Sequence, residues 1–439
     1  MRVIRSLHEL GIEAVAVYST ADRESMHVRL ADRAVCIGPP PPGESYLKIP
    51  SIVAAATTTR CDAVHPGWGF LAESPAFADA CADNELVFIG PRPETMARMG
   101  DKIRAKQALR DAGVPVVPGS ERATTLEEAR EVAAVAGFPV LLKAAAGGGG
   151  RGMRIVESAD ELEAAFHLAA AEADAAFGDG RLYLEKVVQA ARHVEVQVLA
   201  DEHDGVLTLG ERECSIQRRH QKLIEESPSP ALSPEAREAI EDTAERAARA
   251  VAYRNAGTFE FLLAPDGLFF FMELNARLQV EHPVTELVTG IDLVREQVRV
   301  AAGERLCQTG RAERRGHAIE VRINAEDPAR DFAPCPGRIE RFSPPLGPGV
   351  RVDTYAEDGW VVPPYYDSLL GKVVVWDLDR PGAIARCLRA LGELQVVGVP
   401  TTAPAAIDIL RSEEFQSGRY STTYLSEAAG RLPALMEKT

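Results

Sequence analysis

The sequence predicts an α/β protein, α+β overall, built from several domains, and three observations carry that reading. Helix-period and apolar strand segments alternate over roughly residues 1–95, the pattern of a doubly wound sheet. Longer strands of alternating polarity follow, among them HVEVQVLA and GVLTLGERE, with a hairpin around Asp266-Gly267. At 439 residues the chain is long enough for roughly two to four cores.

Taken in order, MRVIRSLHEL sets Val3, Ile4, Leu7 and Leu10 at helical spacing, and GIEAVAVYS reads as a buried strand. AVCIG, CDAVHPG and LVFIG continue the alternation, interrupted by the stiff loop PPPPG at 39–43. A crossover helix ordinarily follows a strand, so a helix at the head of the sheet implies a missing central strand. Either the start lies further upstream or the domain lacks that strand. From residue 100, GDKIRAKQALRDAG predicts a helix closed by Gly113 and Pro115. Residues 116–187 form a compact α/β unit: strand PVLLK, a glycine-rich loop, strand RIV, a helix over 159–176 and strand LYLEKVV. Two strands, a helix over 234–252, the hairpin and a helix from Asp292 come next. Strands HAIEVRIN, GRIERFS and GKVVVW precede the last helices. The domains expected are 1–99, 100–315 with the 116–187 unit inside it, and 316–430.

Composition excludes several classes. A formal net charge of −16 offers no electrostatic support for nucleic-acid binding. No apolar run reaches about 18 residues and no secretory signal is present, so a soluble, cytoplasmic protein with no membrane role is expected. The seven cysteines are scattered without CxxC pairs, which fits reduced thiols.

The hairpin AGTFEFLLAPDGLFFFMELN carries the first chemistry. Asp-Gly favours a two-residue type I′ turn, which sets Glu260 opposite Glu273 and Thr258 opposite Asn275. Period-two alternation then puts Glu260, Glu273 and Asn275 on one face. Glutamates roughly 5 Å apart repel each other, and the surrounding phenylalanines raise the cost of unneutralised charge. A cation should sit between them, and hard oxygen donors without Cys or His point to Mg²⁺ or Mn²⁺.

Other segments suit anions. The four glycines of KAAAGGGGRG, Gly148 and Gly149 among them, let backbone N–H groups approach phosphates, and Lys143 and Lys102 supply charge. The tip of LYLEKVV, with Glu185 and Lys186, suits adenine and ribose. His193, Glu195 and Gln197 share one face of HVEVQVLA, and IQRRHQK gathers Gln217, Arg218, Arg219, His220 and Lys222. In NARLQVEHP, Arg277, Gln279 and Glu281 alternate along an extended segment. An Arg fork matches a small oxyanion, and Glu281 beside it can take that anion's proton. Bicarbonate is such an anion.

Together HPGWGFLAE, MGDK, KAAAGGGGRGM, LEKVV, HVEVQVLAD, ECSIQRRHQK, GTFEFL, MELNARLQVEHPVTE, RINAEDP and VPPYYDS resemble the ATP-grasp superfamily, and within it biotin carboxylase. The resemblance runs almost end to end. It implies an ATP-grasp fold with an N-terminal preATP-grasp domain, a glycine-rich B domain and a C-terminal biotin carboxylase subdomain. It implies an ATP pocket of Lys102, Lys143, Glu185, Lys186, Val188, His193, Gln217, His220 and Leu262, and metal ligands Glu260, Glu273 and Asn275. Arg277, Gln279 and the Val280 N–H resemble the bicarbonate cradle, Glu281 its base, and Lys222 and Arg322 the groups that handle carboxyphosphate and the biotin enolate. Arg5, Glu9 and Arg351 resemble homodimer contacts. The implied reaction is ATP-dependent carboxylation of biotin, the first half-reaction of an acetyl-CoA or acyl-CoA carboxylase with separate carboxyltransferase subunits. Another ATP-grasp carboxylate ligase and a non-catalytic subunit without the first strand are the alternatives. No lysine lies between two methionines, so biotin is expected on a separate carrier protein. Three departures stand out: the family's first strand and its Asn-Arg-Gly-Glu turn are absent, Trp68 stands where Tyr is common, and Ala145-Ala146 stands where Ser-Gly is common.

Overall fold

The computed structural model describes residues 1–122, 124–145 and 153–436, so Gly148 and Gly149 lie outside the described residues. The amphipathic α1 (Arg2–Glu9) leads into β1 (Val15–Ser19), which pairs in parallel with β2 (Arg33–Gly38). Helices α2 (Met26–Leu30) and α3 (Ile49–Thr58) precede β3 (Ala63–Val64), and α4 (Pro75–Asp83) connects β3 to its parallel partner β4 (Val87–Phe88). The expected doubly wound sheet is therefore split into two pairs, β1–β2 and β3–β4. Helix α5 (Pro93–Gly100) leads to α6 (Lys102–Asp111), capped by the Asp101 carboxylate, which accepts from the N–H groups of Ile103 and Arg104.

In the next unit β5 (Val140–Ala144) lies between β6 (Met153–Val156) and β7 (Leu182–Lys186). Helices α7 (Leu126–Ala136) and α8 (Ala159–Phe177) cover it, burying Ala129, Ala133, Val140, Leu142, Leu162 and Leu184. The sequence reading has no counterpart to α7, although Thr125 and Glu128 form a capping box at its start.

A nine-stranded sheet organises the rest. It contains β8 (Arg192–Ala200), β9 (Val206–Arg218), β10 (Gln221–Ser227), β11 (Asn255–Leu263), β12 (Phe269–Asn275), β13 (Gly310–Arg311), β14 (His317–Asn324), β15 (Val350–Thr354) and β16 (Leu369–Asp377). Their order is β12-β11-β8-β9-β10-β14-β16-β15, with β13 beside β9. Helix α9 (Pro234–Ala250) packs Ile240 and Ala244 on Val194, Val196 and Phe259. Helices α10 (His282–Thr289) and α11 (Leu293–Ala301) bury Val284 against Ala318 and Leu293 against Leu199. Helices α12 (Arg380–Glu393) and α13 (Ala403–Arg411) close the far end over Ile319, Val321 and Val373. The expected strand GRIERFS breaks into Gly337–Arg338 and Arg341–Ser343, which pair with different partners.

The β11–β12 connection corrects the two-residue turn. Its loop has three residues, Pro265 to Gly267, closed by Ala264 and Leu268, with Gly267 at φ +87°. This is the hairpin that wants glycine in the left-handed position. The extra loop residue sets Phe261 opposite Phe271, and a bulge at Met272 then shifts the register back. Glu260 still faces Glu273, and Thr258 faces Asn275, because the two offsets cancel.

Candidate active site

Strand pairing sets Glu273, Glu260, Glu195 and Arg212 in one row across β12, β11, β8 and β9. Glu195 and Glu260 are buried, so three neighbouring carboxylates need several cations. Lys222, on β10, is the chief one. Its Nζ donates to Glu195 Oε2 at 2.5 Å, Glu260 Oε1 at 3.1 Å and Glu281 Oε1 at 2.5 Å. Arg212 is wholly buried and donates from Nε to Glu195 at 2.6 Å, from Nη1 to Gln197 at 2.7 Å and from Nη2 to Gln279 at 2.8 Å. His193 Nε2 lies 3.1 Å from Glu260 Oε2, and Lys102 Nζ lies 3.1 Å from Glu273. Asn275 and Gln279 donate their amides to Glu260 Oε1 at 2.7 and 2.8 Å.

These contacts set the charge states. Burial alone would protonate Glu260 and Glu281, but Lys222 with His193 holds Glu260 well below the ordinary range, and Lys222 with Arg322 does so for Glu281. Burial works against Lys222 too, yet its anionic neighbours raise it well above the usual lysine value. Glu195 goes the other way, because burial outweighs Lys222 and Arg212.

The segment after the hairpin departs from expectation. Strand β12 stops at Asn275, and Glu281 is the cap residue ahead of α10 rather than a position on an extended run. Arg277 turns to Glu73, 3.1 Å from Nε, and donates from Nη2 to Asn275 Oδ1 at 2.9 Å. Gln279 and Glu281 reach the carboxylate cluster. Arg322 on β14 donates from Nη2 to Glu281 Oε2 at 3.0 Å and from Nε to Glu225 at 2.6 Å. Burial pushes Glu225 up to about 7. The Val280 carbonyl accepts from Lys372 Nζ.

A group of lysines adjoins the metal-like face. Lys143 Nζ lies 2.8 Å from Glu185, Lys106 pairs with the same carboxylate, and Lys102 joins this group to Glu273. The Lys186 ammonium instead donates to the carbonyls of Gly137 and Phe138 at 2.8 and 3.0 Å, tying β7 to the end of α7. Val188 is half-buried in the link after β7, and half-buried Leu262 pairs with His193 across β11 and β8. Gln217 pairs with Lys222, and Arg219 and His220 form the two-residue turn between β9 and β10 at φ +47° and +66°. Arg212, Glu73, Lys106 and Glu225 escaped the sequence reading. Arg212 had a signal, since pairing HVEVQVLA with GVLTLGERE puts it against Glu195.

Two carboxylates and an amide oxygen on one face of β11 and β12 fit a hard divalent cation, and the lysines beyond them fit its phosphate ligands. The pattern is that of a site joining a metal–nucleotide to a small oxyanion.

Known proteins have the same organisation. Residues 1–96 match the family model "Biotin carboxylase, N-terminal domain", 101–309 match "Carbamoyl-phosphate synthase L chain, ATP binding domain", and 320–427 match "Biotin carboxylase C-terminal domain". The biotin carboxylase of a Nostoc species is 53% identical over 429 residues, 97% of this chain and 96% of its own length. The Campylobacter jejuni biotin carboxylase, solved as a β-γ-ATP complex, superposes with a TM-score of 0.95 at 47% identity, covering 97% of this chain and 96% of that one. The biotin carboxylase domain dimer of Hydrogenobacter thermophilus 2-oxoglutarate carboxylase, solved with MgADP, ADP and bicarbonate, also gives 0.95, at 45% identity over 100% of this chain and 96% of that one. Three matched domains in family order, over an ATP-grasp fold with this carboxylate row, lead to one conclusion: the chain belongs to the biotin carboxylase family of ATP-dependent ligases.

Proposed function

We propose that the chain uses ATP and bicarbonate to carboxylate biotin on a separate carrier protein. The observation that carries this reading is Glu281, a buried carboxylate held between Lys222 and Arg322 and one helix cap away from Gln279 and Glu260. Lys102, Lys143, Glu185, Lys186, Val188, His193, Gln217, His220 and Leu262, together with Gly148 and Gly149, hold the nucleotide. Glu260, Glu273 and Asn275 hold Mg²⁺ or Mn²⁺, which when bound offsets phosphate charge. Arg277, Gln279 and the Val280 N–H cradle bicarbonate.

Incoming anions draw Lys222 and Arg322 away from Glu281, which raises its basicity where a base is needed. Glu281 takes the bicarbonate proton, and the freed oxyanion attacks the γ-phosphorus as the bond to ADP breaks. Lys222 steadies the carboxyphosphate so formed. It splits into CO₂ and phosphate, the phosphate accepts the biotin N1′ proton, and Arg322 balances the enolate charge while N1′ attacks CO₂. Partner carboxyltransferase subunits would consume the product as half of an acetyl-CoA or acyl-CoA carboxylase. The dimeric Hydrogenobacter domain supports a homodimer, and Arg5, Glu9 and Arg351 are the residues assigned to its contacts. Seven unpaired cysteines support a cytoplasmic setting, and among the described residues no helix is long and apolar enough to cross a membrane.

Bicarbonate-dependent ATP hydrolysis, measured with and without free biotin, tests the reading. Turnover should rise with biotin, and Glu281→Gln should lower it about 10²–10⁴-fold with ATP binding retained. Turnover indifferent to biotin would sink it.

A further inference from the structure

Glu225 of β10 and Glu320 of β14 are direct cross-strand partners, and both are fully buried. Side chains so placed have Cβ atoms roughly 5 Å apart, where like charges repel. Glu225 Oε1 accepts from Arg322 Nε at 2.6 Å. Its other oxygen and both oxygens of Glu320 are buried without a hydrogen-bond partner among the described residues. Three orphaned acceptors at one cross-strand pair are costly unless a proton lies among them.

The surroundings leave Glu320 without a cation of its own. Lys372 Nζ lies 3.7 Å from Glu320 Oε2, too far for a hydrogen bond, and donates instead to the Val280 carbonyl while sitting over the Trp68 ring at 5.4 Å. Val374 is the neighbour of Glu320 on β16, and Val284 and Val288 of α10 pack with Ala318 and Val374. The other charged or titratable groups that act on the pair are Arg322, Lys222 of β10, Cys214 of β9 and Glu281 at the cap of α10. On α10 itself, burial and Lys372 hold His282 well below its ordinary value, so it is uncharged, and Glu286 is engaged by Arg2 and Arg351. Burial lifts Glu320 well above the ordinary carboxyl value despite Lys372, whereas the Arg322 contact makes Glu225 the better anion of the two.

We propose that Glu320 is a protonated carboxyl whose Oε1–H donates to Glu225 Oε2, and that it serves as a positioning residue for Arg322. One proton satisfies two of the three orphaned oxygens and leaves the third, Glu320 Oε2, on the side of Lys372. Glu225 stays anionic, is held from both of its oxygens, and fixes the guanidinium through Nε. Nη2 can then leave Glu281 and meet the enolate with its direction already set. A second anion in place of the protonated group would repel Glu225 and over-neutralise Arg322. The kinetic consequence rests on the role proposed for Arg322; the place of the proton does not.

Infrared difference spectra of the full chain at pH 7, taken without substrates, locate the proton. The wild-type spectrum minus that of Glu320→Gln should contain the carbonyl band of a protonated carboxyl; a difference spectrum without that band overturns the proposal. Biotin-stimulated turnover then reads the positioning. Glu320→Leu, which cannot donate, should lower kcat about 10–100-fold with the KM for ATP unchanged. Glu320→Gln, whose amide can still donate to Glu225, should recover most of that loss. Equal losses in the two variants, no loss in Glu320→Leu, or a KM for ATP that rises in step overturns the positioning role. Wild-type turnover indifferent to biotin would count against the carboxylation reading alone, because the infrared band is read without it.

Discussion

Arg212 sits wholly buried on β9 with Nε, Nη1 and Nη2 all engaged, reaching Thr285 at 3.0 Å and Thr258 at 3.1 Å besides Glu195, Gln197 and Gln279. Its neighbours depend on it in turn. Glu195 would lose one of its two cations, and Gln279 would lose the donor that orients its amide towards Glu260. Arg212→Met should therefore cost about 3–5 kcal/mol, the range for breaking a buried ion pair, read from chemical denaturation. Adding Glu195→Gln should recover part of the loss, since the orphaned charge goes with it. Period-two reasoning was enough to put His193, Glu195 and Gln197 on one face. It did not supply their partner, because Arg212 meets Glu195 through the pairing of β8 with β9 rather than through the alternation within either strand.

Elements differ in how openly their sequences announce them. The turn between β9 and β10 holds Arg219 and His220 in the left-handed region, where Asn-Gly is the ordinary choice. Such positions cost about 1–3 kcal/mol each and persist where the surroundings impose them. Replacing the pair (Arg219→Asn, His220→Gly) should raise the melting temperature while raising the KM for ATP, as the side chain assigned to the nucleotide is lost. Helix α7 went unread although Thr125 and Glu128 form a capping box at its start. The start of α10 was harder to see, since Arg277, Gln279 and Glu281 alternate like a strand. Pro283 at its first turn was the available cue.

Across the whole molecule two glutamates tie domains together. Glu226 on β10 accepts from His317 at 2.7 Å, from Arg380 of α12 at 2.7 and 3.0 Å, and from Tyr420. Burial opposes its charge, but His317 and Arg380 lower it from 4.5 to about 2. A depressed carboxylate stabilises the fold above its unfolded value and loses that contribution on acidification. About 3 kcal/mol should therefore disappear between pH 4.5 and about 2, and Glu226→Gln should flatten that part of the acid-unfolding curve while lowering stability at pH 7. Glu286 on α10 is shared between Arg2 of α1 at 2.7 Å and Arg351 of β15 at 2.7 Å. Glu286→Gln should speed proteolysis within residues 1–100 and lower the melting temperature of the full chain.

The sequence by itself determined the α/β alternation, the hairpin face of Glu260, Glu273 and Asn275, and the family, because those rest on local periodicity and contiguous motifs. Tertiary structure decided how the charges are neutralised. Lys222 joins three carboxylates that come from β8, β11 and the cap of α10, and Arg322 reaches Glu281 from β14. It also decided why the register survived, through a longer loop and a compensating bulge, and it split the N-terminal sheet into the pairs β1–β2 and β3–β4. The charge contacts depend on segments distant in the chain, which no local spacing encodes, whereas the loop and the bulge are local and leave the alternation unchanged because their offsets cancel.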